Sequence, residues 1–275
     1  MAEVAPEVPS EVVEHYETTD EGRRLTEGLG RLELLRTQEV LRRHLPDRPA
    51  RILDVGGATG VHARWLADDG HDVHVVDLVP AHVEKARAQT GSVGRVTAEV
   101  GDARRLPGAD AGFDVALVMG PLYHLTDRAD RLLALGEARR VVRPGGLIFA
   151  AAISRFASLF DGLVSGFLFE SRFRAIVDRD LAEGQHRNPT DRSDWFTTAY
   201  FHHPDELRHE AVDAGLDVIE VVGVEGLAKW LPHLEARFDA EHDRDTILFA
   251  ARVIEAEPTL LGLSAHLILV ARNPS

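Results

Sequence analysis

The sequence predicts an α/β fold, with a doubly wound, mostly parallel sheet of seven strands and a helical lid insertion. Three observations predict it. Short apolar runs alternate with helical stretches from Arg51 to Ile153. One of those runs, Phe113–Met119, is almost wholly apolar, as a parallel strand buried on both faces must be. A glycine-rich turn, Gly56–Gly60, joins the first strand to its helix. Repeated strand–helix units of this length imply right-handed crossovers, with ligands at the carboxyl ends of the strands.

Residues 1–10 are an acidic, proline-containing tail, unlike a charged-then-apolar leader. From Glu11 to Leu45 the pattern is helical, since Leu25, Leu29, Leu32, Leu35 and Val40 fall near the spacing of one face. Pro46, Asp47 and Pro49 break it. Arg51–Val55 is a strand and Val61–Asp69 a helix; Val73–Val76 is a strand and Pro80–Gln89 a helix. Strands follow at Val96–Val100 and Phe113–Met119, then a helix at Arg128–Val142, stopped by Pro144-Gly145-Gly146 before the strand Leu147–Ile153. Ser154–Phe201 carries no clear strand: Phe156, Phe160, Leu163, Val164 and Phe167 form a helical stripe, and a polar stretch leads into Trp195-Phe196. A helix at Pro204–Ala214, a strand at Leu216–Val224, a helix near Thr246–Glu255 and a strand at His266–Ala271 close the chain. The expected organisation is an N-terminal helical lid (1–46), a core (47–153), a helical and loop cap (154–203) and the rest of the core sheet (204–275).

At 275 residues, 44% hydrophobic, the chain suffices for one large domain with a lid and is short for two cores. Its formal charge of −14 argues against a nucleic-acid partner, which wants clustered Lys and Arg. The absence of cysteine excludes disulfides, a thiol nucleophile and thiolate metal sites. No run reaches the ~18 apolar residues of a membrane span, so a cytoplasmic location is expected. Fourteen histidines invite a metal, but no set has convincing ligand spacing, and none is expected.

Glycines at Asp54-Val55-Gly56-Gly57-Ala58-Thr59-Gly60 let the backbone turn tightly and a ligand approach closely. A dinucleotide G-x-G-x-x-G fits neither register, because Val55 or Ala58 and Val61 stand where glycine is needed. No Gly-Lys-Ser/Thr follows, so a P-loop is absent. The stretch does resemble the first motif of class I S-adenosylmethionine (SAM) dependent methyltransferases, with Ala58 replacing the middle glycine. Further stations match in order: Asp77 at the end of strand two, Gly101-Asp102-Ala103 after strand three, Met119-Gly120-Pro121-Leu122-Tyr123-His124 after strand four, and Arg143-Pro144-Gly145-Gly146 before strand five.

That resemblance implies a Rossmann-like core binding SAM, with S-adenosylhomocysteine (SAH) as product. It implies that Asp54, Gly56, Gly57 and Gly60 shape the loop, that Asp77 and Leu78 meet the ribose, and that Gly101, Asp102 and Ala103 meet adenine. Met119 and Gly120 would border the methyl donor, Tyr16 would close over it, and Arg23 and Arg31 would reach its carboxylate or else be solvated.

His124, beside the expected methyl group, is the leading candidate base, against a packing role in the loop. His202 and His203 precede Pro204, where helix capping competes with action on the acceptor; His203 is the second catalytic candidate. Tyr123, Trp195, Phe196 and Tyr200 are candidate acceptor contacts. The family's Asn/Asp-Pro-Pro-Tyr/Phe motif for DNA amines is missing, which favours O- or C-methylation of a small molecule in secondary or cofactor metabolism. The alternatives are a catalytically silent SAM-binding sensor or accessory protein and, disfavoured by the glycine register, a nicotinamide oxidoreductase.

Overall fold

The structure, a computed structural model, describes residues 21–88, 94–190 and 192–275; Tyr16 lies outside the described residues. The strands are β1 (Arg51–Val55), β2 (Asp72–Asp77), β3 (Val96–Val100), β4 (Phe113–Val118), β5 (Val142–Ser154), β6 (Gln185–His186), β7 (Ala199–His202), β8 (Asp217–Gly223) and β9 (His266–Arg272). The seven expected strands form the continuous sheet β3-β2-β1-β4-β5-β9-β8. β1 to β5 pair in parallel, and β9 lies antiparallel between β5 and β8.

The sheet is buried on both faces because successive residues serve opposite layers. In β4, Val115 and Leu117 face the layer covered by the helices Gly30–His44, Val61–Asp68 and Pro80–Ala88. Ala116 and Val118 face the layer covered by the helices Arg128–Val141 and Pro204–Asp213. All four side chains are buried, which is why Val115–Val118 contains no polar residue.

Three differences from the sequence expectation have local causes. The N-terminal helical stretch is broken into Glu21–Thr26 and Gly30–His44. Gly28 sits at φ +54°, and a Cβ on Gly30 would lie 1.8 Å from the Arg24 carbonyl, so the second helix packs against the end of the first. The cap segment is not strand-free: the end of β5 pairs in parallel with β7 through Ile153–Phe201 and Ser154–His202, and β6 pairs with β7. Finally, a short helix at Leu234–Asp239 precedes the last helix, which begins at Glu241 rather than near Thr246.

The cap's helices, Ala157–Ser165 and Ser171–Glu183, build a small core of their own from Phe173, Ile176, Val177 and Trp195, with Leu159 and Phe167 packed on it. The phenylalanine stripe divides accordingly. Phe167 joins this core, Phe160 packs at 5.6 Å on Trp230, and Leu163 and Val164 are exposed.

Candidate active site

A cavity opens where β1 to β4 end, as the parallel topology requires. The loop after β1 makes its floor. Gly56 adopts φ +70°, and a Cβ there would come within 2.6 Å of Pro121 Cδ. Gly60, at φ +83°, caps the helix Val61–Asp68. Ala58 holds φ +46°, so the departure from glycine keeps the left-handed backbone at a cost of about 1–2 kcal/mol. The turn aims the Ala58 N–H at Asp77 Oδ2, 2.9 Å away.

Asp77 thereby ties the first loop to the second. Its Oδ1 accepts the Val79 N–H at 2.9 Å and lies 3.3 Å from His82 Nδ1. Oδ1 thus faces two donors, and Oδ2, with one, retains a further lone pair for a ligand hydroxyl. Asp54 lies beneath the loop, where a Cβ on Gly57 would fall 2.5 Å from its Oδ2. It is wholly buried, and neither oxygen finds a partner among the described residues. Burial, helped by the charge of Asp77, pushes its carboxyl up to about 7.

After β3, a Cβ on Gly101 would meet Val76 Cγ1 at 2.8 Å, so this turn too must be bare. Asp102 Oδ1 accepts the Arg104 N–H at 2.8 Å, and the Arg104 guanidinium reaches Oδ2 at 2.6 Å. Burial opposes the Asp102 charge, but Arg104 outweighs it and holds the carboxyl below its usual range. Arg104 also pairs with Asp130 at 3.0 Å. The sequence reading missed it, although its place two residues after Asp102 was the available signal. Leu78, Ala103, Met119 and Gly120 line the same cavity. The Tyr123 hydroxyl donates to the Met119 carbonyl at 3.2 Å.

His124 lines the cavity as expected, with its ring 4.7 Å from that of Tyr123. Its Nδ1 donates to the Thr198 carbonyl at 3.1 Å, so in the neutral ring the lone pair belongs to Nε2. The other acceptor-side candidates fall elsewhere. His203 is the N-cap of the helix Pro204–Asp213: its N–H donates to Glu206 at 3.0 Å and its ring packs on Phe156. His202 is buried against Glu210 at 3.2 Å. Trp195 fills the cap's own core, because the polar loop before it folds over rather than away. Tyr200 lies over the Arg131 guanidinium at 3.7 Å and bonds Arg155 and Glu206. Phe196 packs beside His124 at 6.0 Å, behind the cavity wall. Only Tyr123 of the four aromatic candidates is among the residues that line the cavity.

The arginine expectation is likewise displaced. Arg23 pairs with Glu27 on the surface and Arg31 with Asp239, whereas Arg24 lines the cavity and takes both oxygens of Glu33 at 2.8 and 3.2 Å. Glu33, His62 and His266 also line it and were not foreseen. His62 Nδ1 accepts from Trp65 Nε1 at 3.2 Å, and burial lowers its pKa to about 4, so it is a neutral ring with its proton on Nε2.

Comparison with known proteins agrees with this geometry. Residues 52–146 match the family model of a methyltransferase domain. The ubiquinone/menaquinone biosynthesis C-methyltransferase of Acidiphilium cryptum is 38% identical over 39% of this chain and 44% of its own length. The ubiquinone biosynthesis O-methyltransferase of Azorhizobium caulinodans is 30% identical over 68% of this chain and 70% of its own. The chain belongs to the class I SAM-dependent methyltransferases. SAM is its cofactor. Among solved structures, the SAM-dependent methyltransferase of Mesorhizobium loti superposes with a TM-score of 0.58 at 20% identity, over 89% of this chain and all of that one. A SAM-dependent methyltransferase from Thermotoga maritima gives 0.60 at 19%, over 95% and 99%. Both show the shared Rossmann-like fold. The match covers about half the length of the Acidiphilium relative and of an Aspergillus nomiae O-methyltransferase. No helix among the described residues is long and apolar enough to cross a membrane.

Proposed function

We propose that this methyltransferase modifies an oxygen or carbon atom of a small molecule in secondary or cofactor metabolism, with His124 taking the proton that the acceptor gives up. The observation that carries the reading is the His124 ring at the cavity wall, whose Nδ1 is committed to a backbone carbonyl, which makes Nε2 the basic nitrogen. The names of the relatives agree with it: one is a quinone-biosynthesis O-methyltransferase and another a C-methyltransferase.

The site suits the cofactor. Bare glycines at 56 and 101 let the loops that line the cavity close against Pro121 and Val76, where any Cβ would collide, and the buried oxygens of Asp54 lack partners under the loop among the described residues. Asp77 would accept from a ribose hydroxyl through the remaining lone pair of Oδ2. Asp102 and the Ala103 amide would face adenine, with Arg104 holding the Asp102 carboxylate in place. When bound, SAM supplies an electrophilic methyl group on a sulfonium sulfur. The chain's own part is positioning, which in such a displacement supplies most of the rate. Gly56, Gly120 and Pro121 bring the ends of β1 and β4 together, and Tyr123 braces that junction through Met119. His124 then removes the acceptor proton, a contribution of about 10²–10⁴ in rate.

The test is transfer of radiolabelled methyl from SAM across a library of phenols, enols and quinols. Labelled product in that class supports the reading. Tight SAM binding with no transfer to any member would favour a silent binding protein.

A further inference from the structure

The cavity has a second polar wall that the proposed reaction leaves unused. It forms where β9 begins. Because β9 runs antiparallel to β5, its first residue, His266, reaches the edge at which the parallel strands end. β8 delivers Glu225 to the same edge, two residues past its own end. His266 Nδ1 donates to Glu225 Oε1 at 2.6 Å. Glu225 Oε2 accepts the His266 N–H at 3.1 Å and the Ser264 hydroxyl at 2.9 Å. Ser264 in turn accepts the N–H groups of Glu225 and Gly226, which directs its proton to the carboxylate.

A wholly buried carboxylate with three such bonds fixes the tilt of the ring and holds its Nδ1–H, so Nε2 carries a proton when the ring is charged. His266 lines the cavity with 23% of its side chain exposed, and its Nε2 bonds nothing among the described residues. The same cavity is lined by an apolar patch of Ala151, Val224 and Ile268, with Ala151 and Ile268 paired across β5 and β9. These strands lie beyond β4, away from the loops of β1 to β3.

On the reading that this is a small-molecule methyltransferase, we propose that His266, oriented by Glu225, donates its Nε2–H to an acceptor oxygen conjugated with the atom that is methylated. The acceptor is then a flat phenol- or enol-type molecule whose developing negative charge is held at this wall. The groups facing the ring support a charged donor there. Burial opposes protonation, but Glu33 at 3.7 Å and Glu225 outweigh it, against Lys229, and raise the pKa of His266 above its usual value. Arg24 neutralises Glu33, Glu225 balances the charged His266 ring, His62 is neutral, and Lys229 adds one positive charge nearby, so an anionic oxygen meets a group with one net positive charge.

The experiment uses SAH-loaded full-length protein with 4-nitrophenol as probe. Absorbance titration gives the ionisation of the bound phenol, and calorimetry gives SAH affinity on the same samples. The expected result is ionisation favoured about tenfold in the wild type, one unit of pKa. His266→Gln removes that preference and weakens the probe about tenfold with SAH affinity unchanged; Glu225→Gln loses part of the preference. In the wild type, the His266 Nε2 resonance also shifts on adding the probe, a readout that does not depend on the variants folding. The proposal is overturned if wild-type protein does not take the probe, if His266→Gln leaves its ionisation unchanged, or if the variant loses SAH rather than probe. Failure to bind SAH at all would instead strike the underlying methyltransferase-site reading.

Discussion

Replacing Asp54 with asparagine tests the electrostatics beneath the cofactor loop. Asp54 is buried without a partner among the described residues, and burial together with Asp77 moves its carboxyl from 3.8 to about 7. The folded protein therefore holds a proton that the unfolded chain has released between those two values. With fewer protons bound in the unfolded state, stability must fall as pH rises through that window, and level off above it. A displacement of about three units corresponds to about 4 kcal/mol as an upper bound. The substituted asparagine carries no charge and lacks this slope, although its buried amide adds a pH-independent offset. The diagnostic is thus the difference between the two pH profiles. Thermal melts of wild type and Asp54→Asn at pH 5, 6.5 and 8, without SAM, sample the two units of that window above pH 5, about 2.7 kcal/mol, and should diverge in favour of the variant by up to about 5 °C, at about 2 °C per kcal/mol for a chain of this size. Parallel profiles would refute the reasoning and mean that Asp54 stays ionised at pH 5.

Gly56→Ala should weaken SAM binding more than tenfold while the protein stays folded, since the new Cβ meets Pro121 Cδ at 2.6 Å and φ is +70°; isothermal calorimetry checks it, and unchanged affinity would contradict the loop geometry. His124→Gln should lower kcat at least a hundredfold with SAM affinity within about twofold of wild type; steady-state kinetics with any acceptor found by the methyl-transfer screen decides it. Arg131→Met should destabilise the fold by about 3–5 kcal/mol, because Glu210, bonded by Arg131 at 2.7 Å, is left buried and charged without it. Urea melts check that value, and adding Glu210→Leu should recover much of the loss.

The seven strands were legible because their pattern is local. Phe113–Val118 is apolar throughout its buried part since each of its faces meets a helix layer, and no distant contact is needed to see that. The same holds for Asp77 and Asp102, which stand at strand ends by sequence alone. What escaped depends on pairing between distant segments. β7 owes its existence to two residues of register with β5, too few to leave an alternating pattern. Trp195 and Tyr200, expected as acceptor contacts beside a polar loop, do not line the cavity; Asn188 folds that loop back by bonding the carbonyls of Arg192 and Phe196. Arg24 rather than Arg23 is the cavity residue because it pairs with Glu33 of the next helix, across a break after Thr26 that spacing alone does not show. His266 and Glu225 lie 41 residues apart, and only the antiparallel pairing of β8 with β9 brings them together.

The two kinds of legibility divide the molecule along its chemistry. The residues proposed to meet the cofactor sit on loops that directly follow β1 to β4, so chain order and spatial order coincide there, and a one-dimensional pattern suffices. On the proposed reading, the acceptor side would be assembled from Tyr123 and His124 after β4, from the small face of β5, from the antiparallel end of the sheet and from the N-terminal helix. Each contributes one or two residues, so no short motif can encode it. The cap adds little directly, since its aromatic residues are used in its own core and its carbonyl at Thr198 acts through His124. Acceptor choice in this chain is therefore expected to respond to substitutions at Glu33, Ala151, Val224 and His266 more than to changes in the cap's aromatics. An antiparallel strand inserted between β5 and β8 makes that possible, because it turns a strand's beginning toward the edge where every parallel strand ends.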